Sequence, residues 1–317
     1  MTSEHPWRAR LVAAMPFVSL AMGLWSAFFV VRRYDQAQRL AWLLGAMWLF
    51  LGLLALVRRK LPEQPSRGQR IGAFVLAWVA QSASQEILFF VLPFWIRSTT
   101  WTSRNAIFTA LLVALAATVV VDPIYQWILA RLRVAMLHKA LVQFAALAFL
   151  VPVATGLHTL AALALAGALA GVVAAMALKA RRPWAALPLG AIAGALCAVG
   201  ASGWIAPVPL RLEHGVFASG VVQRNPSDTL SVCPRGRTLW AWTPVFAPAG
   251  MRDSLVHAWS RDGRELSQTR LEVQGGRRSG FRTWSVSSRA AAEPGEVTLE
   301  IRTVDGQIVG RMSISVK

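Results

Sequence analysis

Seven long apolar stretches constrain this chain more than any other feature of its sequence. A helix needs roughly 20 apolar residues to cross the hydrocarbon core of a bilayer. The chain has 317 residues, of which 55% are hydrophobic and only 15% are charged, so it is more apolar than a typical soluble domain. The pattern predicts an α-helical transmembrane bundle of about seven spans within residues 1–207. The stretches are residues 11–31, 40–57, 71–96, 106–129, 140–157, 159–178 and 185–206.

The positions of the basic residues predict an orientation for this bundle. With the N-terminus in the cytoplasm, the loops on that side hold 13 Lys and Arg residues and the opposite loops hold 5. Because cytoplasmic loops carry the excess of positive charge, we expect a multi-pass inner-membrane protein with a cytoplasmic N-terminus and a C-terminal region in the periplasm. The lipid bilayer is its expected partner. The formal net charge of +18 then reflects topology signals, and we expect no nucleic-acid partner.

Small residues mark the last two apolar stretches. Gly167 and Gly171 form one G-x-x-x-G pattern, and Gly190 and Gly194 form another. Small residues let two helix backbones approach closely, so that van der Waals contact holds the helices together. We expect these two stretches to pack against each other within one chain, with dimerisation as the alternative.

The character of the sequence changes at residue 208, where alternation replaces the long apolar runs. The segments "VTLEIRT" and "QIVGRMSISV" flank Asp305-Gly306, and "SLVHAWS" and "RELSQTRLEV" flank Asp262-Gly263. Asp-Gly between alternating segments is a strong hairpin signal. "TLWAWTPVF", "HGVFASGVVQ" and "GFRTWSVS" add further strands. About seven short strands predict one small all-β, immunoglobulin-like sandwich over residues 208–317.

A polar cluster interrupts the third and fourth apolar stretches. Ser82 and Glu86 are four residues apart, so a helix brings them to one face. Asp122-Pro123 divides the fourth stretch, because proline has no N–H for the Val119 carbonyl, and it predicts a half-helix that restarts near residue 122 and continues to Leu132. Burial raises a carboxyl pKa, which would favour a protonated Glu86. The full cluster is Gln81, Ser82, Gln85, Glu86, Asp122, Tyr125 and Gln126.

Two interpretations of this cluster stay open. In the structural one, Gln85, Glu86 and the broken helix hydrogen-bond one another and fix the bundle. In the functional one, a polar cavity around Glu86 and Asp122 belongs to a membrane transporter or an intramembrane enzyme, since broken helices are common in transporters. The structural interpretation is favoured, because the sequence shows no internal repeat.

The predicted β domain offers a second set of candidates. Residues two apart on a strand share a face, which pairs Trp240 with Trp242. Tryptophan stacks on sugars, and arginine binds phosphates and carboxylates. The competing interpretation is a sandwich core filled with tryptophan, and it is favoured for each Trp. The candidate ligand-binding residues are His257, Trp259, Arg282 and Trp284.

Metal and cofactor chemistry have little support in the sequence. The two cysteines, Cys197 and Cys233, lie in regions of different character, and the five histidines show no metal-ligand spacing. No pair of acids and no nucleophile–base spacing indicates hydrolysis. We therefore expect no metal, no cofactor and no catalytic residue.

The chain resembles a family of uncharacterised bacterial inner-membrane proteins. In the membrane half the resemblance is carried by "SQEILFFVLPFW" and "DPIY", and in the β half by "HAWSRDGRE", "GGRRSGFRTWS" and "VDGQIVGR". It implies a multi-span domain of unknown function followed by a β domain of unknown function, and it implies no activity. Together these features predict a non-enzymatic membrane protein whose bundle anchors a periplasmic β-sandwich that binds an envelope glycan, a lipid or a protein.

Overall fold

A computed structural model describes residues 20–33, 36–46, 49, 85–176 and 183–317 of the chain. Within these residues the N-terminal part is helical and the C-terminal part is built from strands. Eight helices are described: α1 (Leu20–Arg32), α2 (37–46), α3 (85–98), α4 (Asn105–Val120), α5 (Asp122–Leu129), α6 (Leu132–Thr155), α7 (Thr159–Ala175) and α8 (Pro183–Gly200).

The prediction of about seven membrane-spanning helices is wrong. Among the described residues, one helix is long and apolar enough to cross a membrane, and that is α6 with 24 residues. Four further apolar helices are shorter, and the stretch 106–129 is divided into α4 and α5 with 16 and 8 residues. In the described part of the chain, the sequence count joined apolar residues across helix ends and breaks, while a span needs roughly 20 residues in one continuous helix. Parts of the stretches 11–31, 40–57 and 71–96 lie outside the described residues.

The multi-pass inner-membrane localisation is corrected for the same reason. The cytoplasmic N-terminus and the periplasmic C-terminal domain were both predicted by counting loops between seven spans. With one candidate span among the described residues, the count of basic residues no longer assigns the loops to the two sides of a membrane.

The helix break at Asp122-Pro123 is confirmed. Helix α4 ends at Val120 and α5 begins at Asp122. The amides of Ile124 and Tyr125 both donate to the Val121 carbonyl, at 3.0 Å each, so the chain restarts as a new helix at this point. The new helix ends at Leu129 rather than at the expected Leu132.

The close packing of α7 on α8 within one chain is also confirmed. A Cβ atom placed on Gly171 would lie 2.0 Å from the Gly190 carbonyl oxygen and 3.0 Å from the Gly194 Cα. A Cβ on Gly190 would lie 2.6 Å from both the Gly171 carbonyl oxygen and the Ala175 Cβ. Only hydrogen at these positions lets the two backbones touch.

Twelve strands are described in the C-terminal region. Six are long, with 7 to 11 residues, and six have only two or three. They are β1 (Arg211–Leu212), β2 (Val216–Ala218), β3 (Val221–Val222), β4 (Asn225–Pro226), β5 (Thr229–Leu230), β6 (Val232–Cys233), β7 (Leu239–Phe246), β8 (Arg252–Arg261), β9 (Arg264–Gln274), β10 (Phe281–Ser287), β11 (Gly295–Thr303) and β12 (Ile308–Val316).

The strands form two five-stranded sheets and a small ribbon. In the first sheet β7 is central, with β10 along one side and β1 and β2 along the other, and β5 lies beyond β2. The second sheet has the order β6-β12-β11-β8-β9, in which only the β6–β12 pair is parallel among the described neighbours. Strands β3 and β4 make the ribbon.

Both predicted Asp-Gly hairpins are present. Asp262 and Gly263 join β8 to β9 with φ angles of 47° and 80°, and positive φ at both turn residues is typical of the type I′ turn. Gly306, with a φ of 86°, lies in the turn between β11 and β12. These hairpins were predictable because the two turn residues themselves determine the turn type.

The sandwich core lies between the two sheets. On β11, Val297, Leu299 and Ile301 are fully buried and alternate with more accessible polar residues. Leu239 of β7 and Trp259 of β8 belong to the same hydrophobic cluster, so both sheets contribute to it. Burial of apolar surface at this scale is the main stabilising term for such a domain.

Contacts divide the chain into two compact units that do not follow the order of the sequence. The first, here called the helical unit, comprises Met1–Pro93, Leu111–Leu150 and Ala168–Gly194. The second, here called the β unit, comprises Phe94–Ala110, Val151–Gly167 and Ala195–Lys317. The boundary expected from the sequence at residue 207 stays a prediction.

Polar contacts within the β unit join segments that are far apart in the sequence. Asp253 at the start of β8 accepts hydrogen bonds from the backbone N–H and the hydroxyl of Thr159, at 3.1 and 2.9 Å, and so caps the first turn of α7. Gln307 donates through Nε2 to the Ile205 carbonyl at 3.1 Å. Both side chains are buried, so these bonds fix local geometry with little competition from water.

Candidate functional site

The first candidate site surrounds the break between α4 and α5 in the helical unit. The Val119 carbonyl lies in the last turn of α4, where a continuing helix would pair it with the N–H of residue 123. Residue 123 is proline and has no N–H. The buried Gln85 side chain donates to this carbonyl through Nε2 at 2.7 Å. A side chain of α3 therefore supplies the hydrogen bond that the proline removes.

Glu86 is also bonded inside the helical unit. It accepts a short hydrogen bond from the Ser26 hydroxyl of α1. Burial raises the pKa of Glu86 above its ordinary value, and the Ser26 hydrogen bond opposes that rise in part. The bonds of Gln85 and Glu86 tie α3 to α4 and to α1, which favours the structural interpretation of these two residues.

The rest of the predicted polar cluster is only partly visible. Tyr125 is buried, and its ring meets the His138 ring edge-on with centroids 5.8 Å apart. Gln81 and Ser82 lie outside the described residues, as do the side chains of Asp122 and Gln126.

A buried polar network crosses the interior of the β-sandwich. His257 of β8 is fully buried, and its Nδ1 atom lies 2.8 Å from the Ser285 hydroxyl of β10. Its Nε2 atom lies 3.1 Å from the Thr243 hydroxyl of β7. The indole N–H of Trp259 donates to Ser285 at 2.9 Å, and Thr243 also bonds Thr283 at 2.8 Å. The network therefore links the second sheet to the first.

The Ser285–His257 pair has the spacing of a nucleophile and a base, but a substrate cannot reach it. His257 is fully buried and Ser285 nearly so. Burial lowers the pKa of His257 to about 4, so the imidazole is neutral at physiological pH. A neutral histidine with a hydroxyl on each ring nitrogen is a satisfied core residue. No sequence pattern pointed to Ser285, because the pair forms across the sandwich rather than along one strand.

The outer face of the first sheet carries a row of aromatic side chains, here called the tryptophan face. Trp284 of β10 lies directly opposite Trp242 of β7, and Val286 lies opposite Trp240. Arg282 precedes Trp284 by two residues, which places it on the same face. The three indoles and Arg282 are half-buried, and Val286 is exposed. These side chains alternate with the buried residues that form the core.

One indole of the tryptophan face is held by the β3–β4 ribbon. The Trp242 indole N–H donates to the Arg224 carbonyl at 2.9 Å. Arg224 and Gln223 form the tip of the ribbon, with φ angles of 64° and 49°. The bond satisfies the Trp242 indole N–H and restricts the orientation of the ring.

The four ligand-binding candidates from the sequence fall into two groups. His257 and Trp259 belong to the buried network, and Trp259 is part of the sandwich core. Arg282 and Trp284 lie on the tryptophan face together with Trp240 and Trp242. Two-residue spacing identified which residues share a strand face, but it did not show which face points inward.

Metal-binding side chains are not grouped in the described part of the chain, where no cluster of three or more His, Cys, Asp or Glu residues is found. Cys197 is exposed and Cys233 is buried, and both are free thiols.

Comparisons with known proteins identify two families. A family of unknown function (DUF5924) matches residues 4–235, and a protein of unknown function (DUF2914) matches residues 252–316. A comparison with curated proteins gives no match. Among solved structures, the chain is similar to a crystal structure of beta-glucosidase from Listeria innocua in complex with glucose, at 9% identity and a TM-score of 0.23. The alignment covers 33% of this chain and 16% of the enzyme, so it carries no argument about fold or activity.

Proposed function

This chain belongs to the family of unknown function DUF5924. Because that family implies no activity, we propose from the geometry alone that the chain is a non-enzymatic binding protein. Its β-sandwich is the binding module, and its ligand is a glycan. The single observation that carries the proposal is the tryptophan face, in which three half-buried indoles and an arginine lie on the outside of one sheet.

The chemistry of this face suits a sugar ligand. Indole rings present flat, apolar surfaces that stack against the C–H faces of sugar rings, and their rigidity keeps the entropic cost of binding low. Arg282 adds a guanidinium group on the same face, which favours a glycan that carries carboxylates.

Buried contacts inside the β unit support a preformed binding surface. The cap that Asp253 places on α7 and the bond from Gln307, in the β11–β12 turn, to Ile205 are both buried, and they lie within one compact unit. Such bonds restrict the movement of the sheets, and a rigid, preformed surface loses less entropy on binding.

Binding of soluble oligosaccharides to the full-length chain tests the proposal. Two probes are compared by isothermal titration calorimetry, namely N-acetylglucosamine oligomers and uronic-acid oligomers. We expect Trp284→Ala to weaken binding by roughly tenfold or more, which is typical of a central aromatic contact. Trp284→Phe keeps a flat ring and should lose less. Arg282→Gln should weaken binding of the uronic-acid probe alone.

Trp127→Ala is the matched control, because Trp127 is exposed but lies on α5 in the helical unit. It should bind both probes as the wild type does. If neither probe binds the wild-type chain, or if Trp284→Ala binds as well as the wild type, the glycan proposal fails.

A further inference from the structure

A second surface of the β unit forms a pocket that the tryptophan face does not include. It has a volume of about 700 Å³ and lies between the turn before α4 and the β11–β12 hairpin. That volume falls within the range found for small-molecule sites. The residues that matter for its chemistry are Ser103, Arg104, Ile107, Gly306, Ile308 and Arg311.

The charged groups of the pocket are both arginines, and none of the residues that line it is acidic. Arg104 forms no ion pair with a described residue, and its guanidinium lies over the Trp204 ring at 5.6 Å from the centroid. Arg311 is paired with Glu300 at 2.8 Å, so its charge is largely balanced. The net positive charge of the pocket therefore comes from Arg104.

The walls of the pocket are held in place by contacts between distant parts of the chain. Arg311 donates through Nη1 to the Thr102 carbonyl at 3.0 Å. Asn105 donates through Nδ2 to the Ile308 carbonyl at 2.9 Å. These two bonds fix the turn before α4 against β12, so the pocket is formed before any ligand arrives, which lowers the entropic cost of binding.

The pocket also has an apolar side, formed by Ile107 of α4 and Ile308 of β12. Ile107 is 58% exposed. Two tryptophans that do not line the pocket are also exposed near Arg104, Trp204 at 46% and Trp101 at 56%. A cationic group next to exposed apolar side chains matches a ligand with an anionic head and an apolar body.

We propose that this pocket binds a phosphate ester, with Arg104 as the charged contact and the apolar side chains around Ile107 against the body of the ligand. Guanidinium groups pair with phosphate oxygens through two parallel hydrogen bonds. Two sources share this chemistry, a phospholipid headgroup and a free phosphate compound, and the test separates them.

Calorimetry on the full-length chain with four probes provides the test. The probes are inorganic phosphate, glycerol phosphate, dihexanoyl phosphatidylglycerol and dihexanoylglycerol, which has the acyl chains without the phosphate. Binding of dihexanoyl phosphatidylglycerol alone identifies a lipid headgroup site. Binding of inorganic phosphate and glycerol phosphate as well identifies a site for free phosphate compounds.

Arg104→Gln removes the charge at an exposed position, so the fold should survive. We expect roughly tenfold weaker binding of each phosphate probe that binds, since a charge-assisted hydrogen bond is lost. Arg104→Lys keeps the charge without the planar fork and should lose less. Arg264→Gln, which removes an exposed arginine from β9, is the matched control and should bind like the wild type.

Three outcomes would overturn the proposal. The first is that no phosphate probe binds the wild-type chain. The second is that dihexanoylglycerol binds as well as the phosphate lipid, which would mean that only the apolar side is used. The third is that Arg104→Gln binds as the wild type does, or that Arg264→Gln loses as much affinity as Arg104→Gln.

Discussion

The bond from Gln85 to the Val119 carbonyl shows how one residue compensates for another far away in the sequence. Pro123 removes the donor that a continuing helix would supply, and a buried carbonyl without a partner costs free energy. The amide of Gln85 donates at 2.7 Å and satisfies that carbonyl. The broken helix was readable from Asp122-Pro123, whereas the identity of the donor required the tertiary structure.

A double-mutant cycle tests this compensation. Gln85→Leu should destabilise the chain by about 1–3 kcal/mol, because the Val119 carbonyl loses its partner. Pro123→Ala restores a backbone N–H at the position four residues after Val119, so Gln85→Leu should cost less in that background. The measurement is the free energy of unfolding of all four proteins. Equal losses in both backgrounds would show that Gln85 acts through something other than Val119.

Glu86→Gln is the control for this cycle. Glutamine keeps an acceptor oxygen for the Ser26 hydroxyl, so the change should be nearly neutral. A loss as large as that of Gln85→Leu would indicate that the carboxyl group itself matters, against the structural interpretation.

The buried His257 predicts a pH dependence of stability. Its pKa is about 4 in the folded chain against an ordinary value of 6.5, so between these values the unfolded chain binds a proton that the folded chain does not. The stabilisation is complete above about pH 6.5 and is lost as the pH falls toward 4, by up to about 3 kcal/mol. Denaturant unfolding at a series of pH values measures it.

The His257→Asn variant should be less stable, but its free energy of unfolding should change less between pH 6.5 and 4, because the titrating group is gone. His214→Asn, which removes an exposed histidine, should follow the wild-type curve. If the wild type and His257→Asn have parallel curves from pH 6.5 to 4, His257 does not titrate as described.

At the scale of elements, α7 and α8 depend on glycines for their contact. Gly171→Ala places a methyl group where only 2.0 Å separates it from the Gly190 carbonyl oxygen, so the helices must move apart. Overpacking of this kind costs about 1–3 kcal/mol. Thermal unfolding of the full-length chain gives the size of the loss.

Gly200→Ala is the matched comparison for this change, because a Cβ at Gly200 meets no atom within 4 Å. It should be neutral or slightly stabilising, since alanine favours the helix by up to about 1 kcal/mol. If both alanine variants lose the same stability, steric contact between the helices is not the cause.

For the molecule as a whole, the predictions of the hairpin turn and of the glycine contacts are confirmed, whereas the predicted number of spans is wrong. The Asp262-Gly263 turn and the G-x-x-x-G pairs act between neighbours in sequence or on one helix face, and the structure has both. The prediction of a fourth span failed because apolar composition continues through the break at Asp122. The pocket between Arg104 and Arg311 could not be predicted, because the chain must fold before these residues meet.

The bonds that join the turn before α4 to β12 impose an order on the folding of this chain during synthesis. Asn105 and Thr102 bond to Ile308 and Arg311, which lie about two hundred residues further along the chain. Because the ribosome makes a chain from its N-terminus, the turn stays without these bonds until β12 has been made. A stop codon placed just before β12 would therefore remove hydrogen bonds from a turn that lies about two hundred residues upstream.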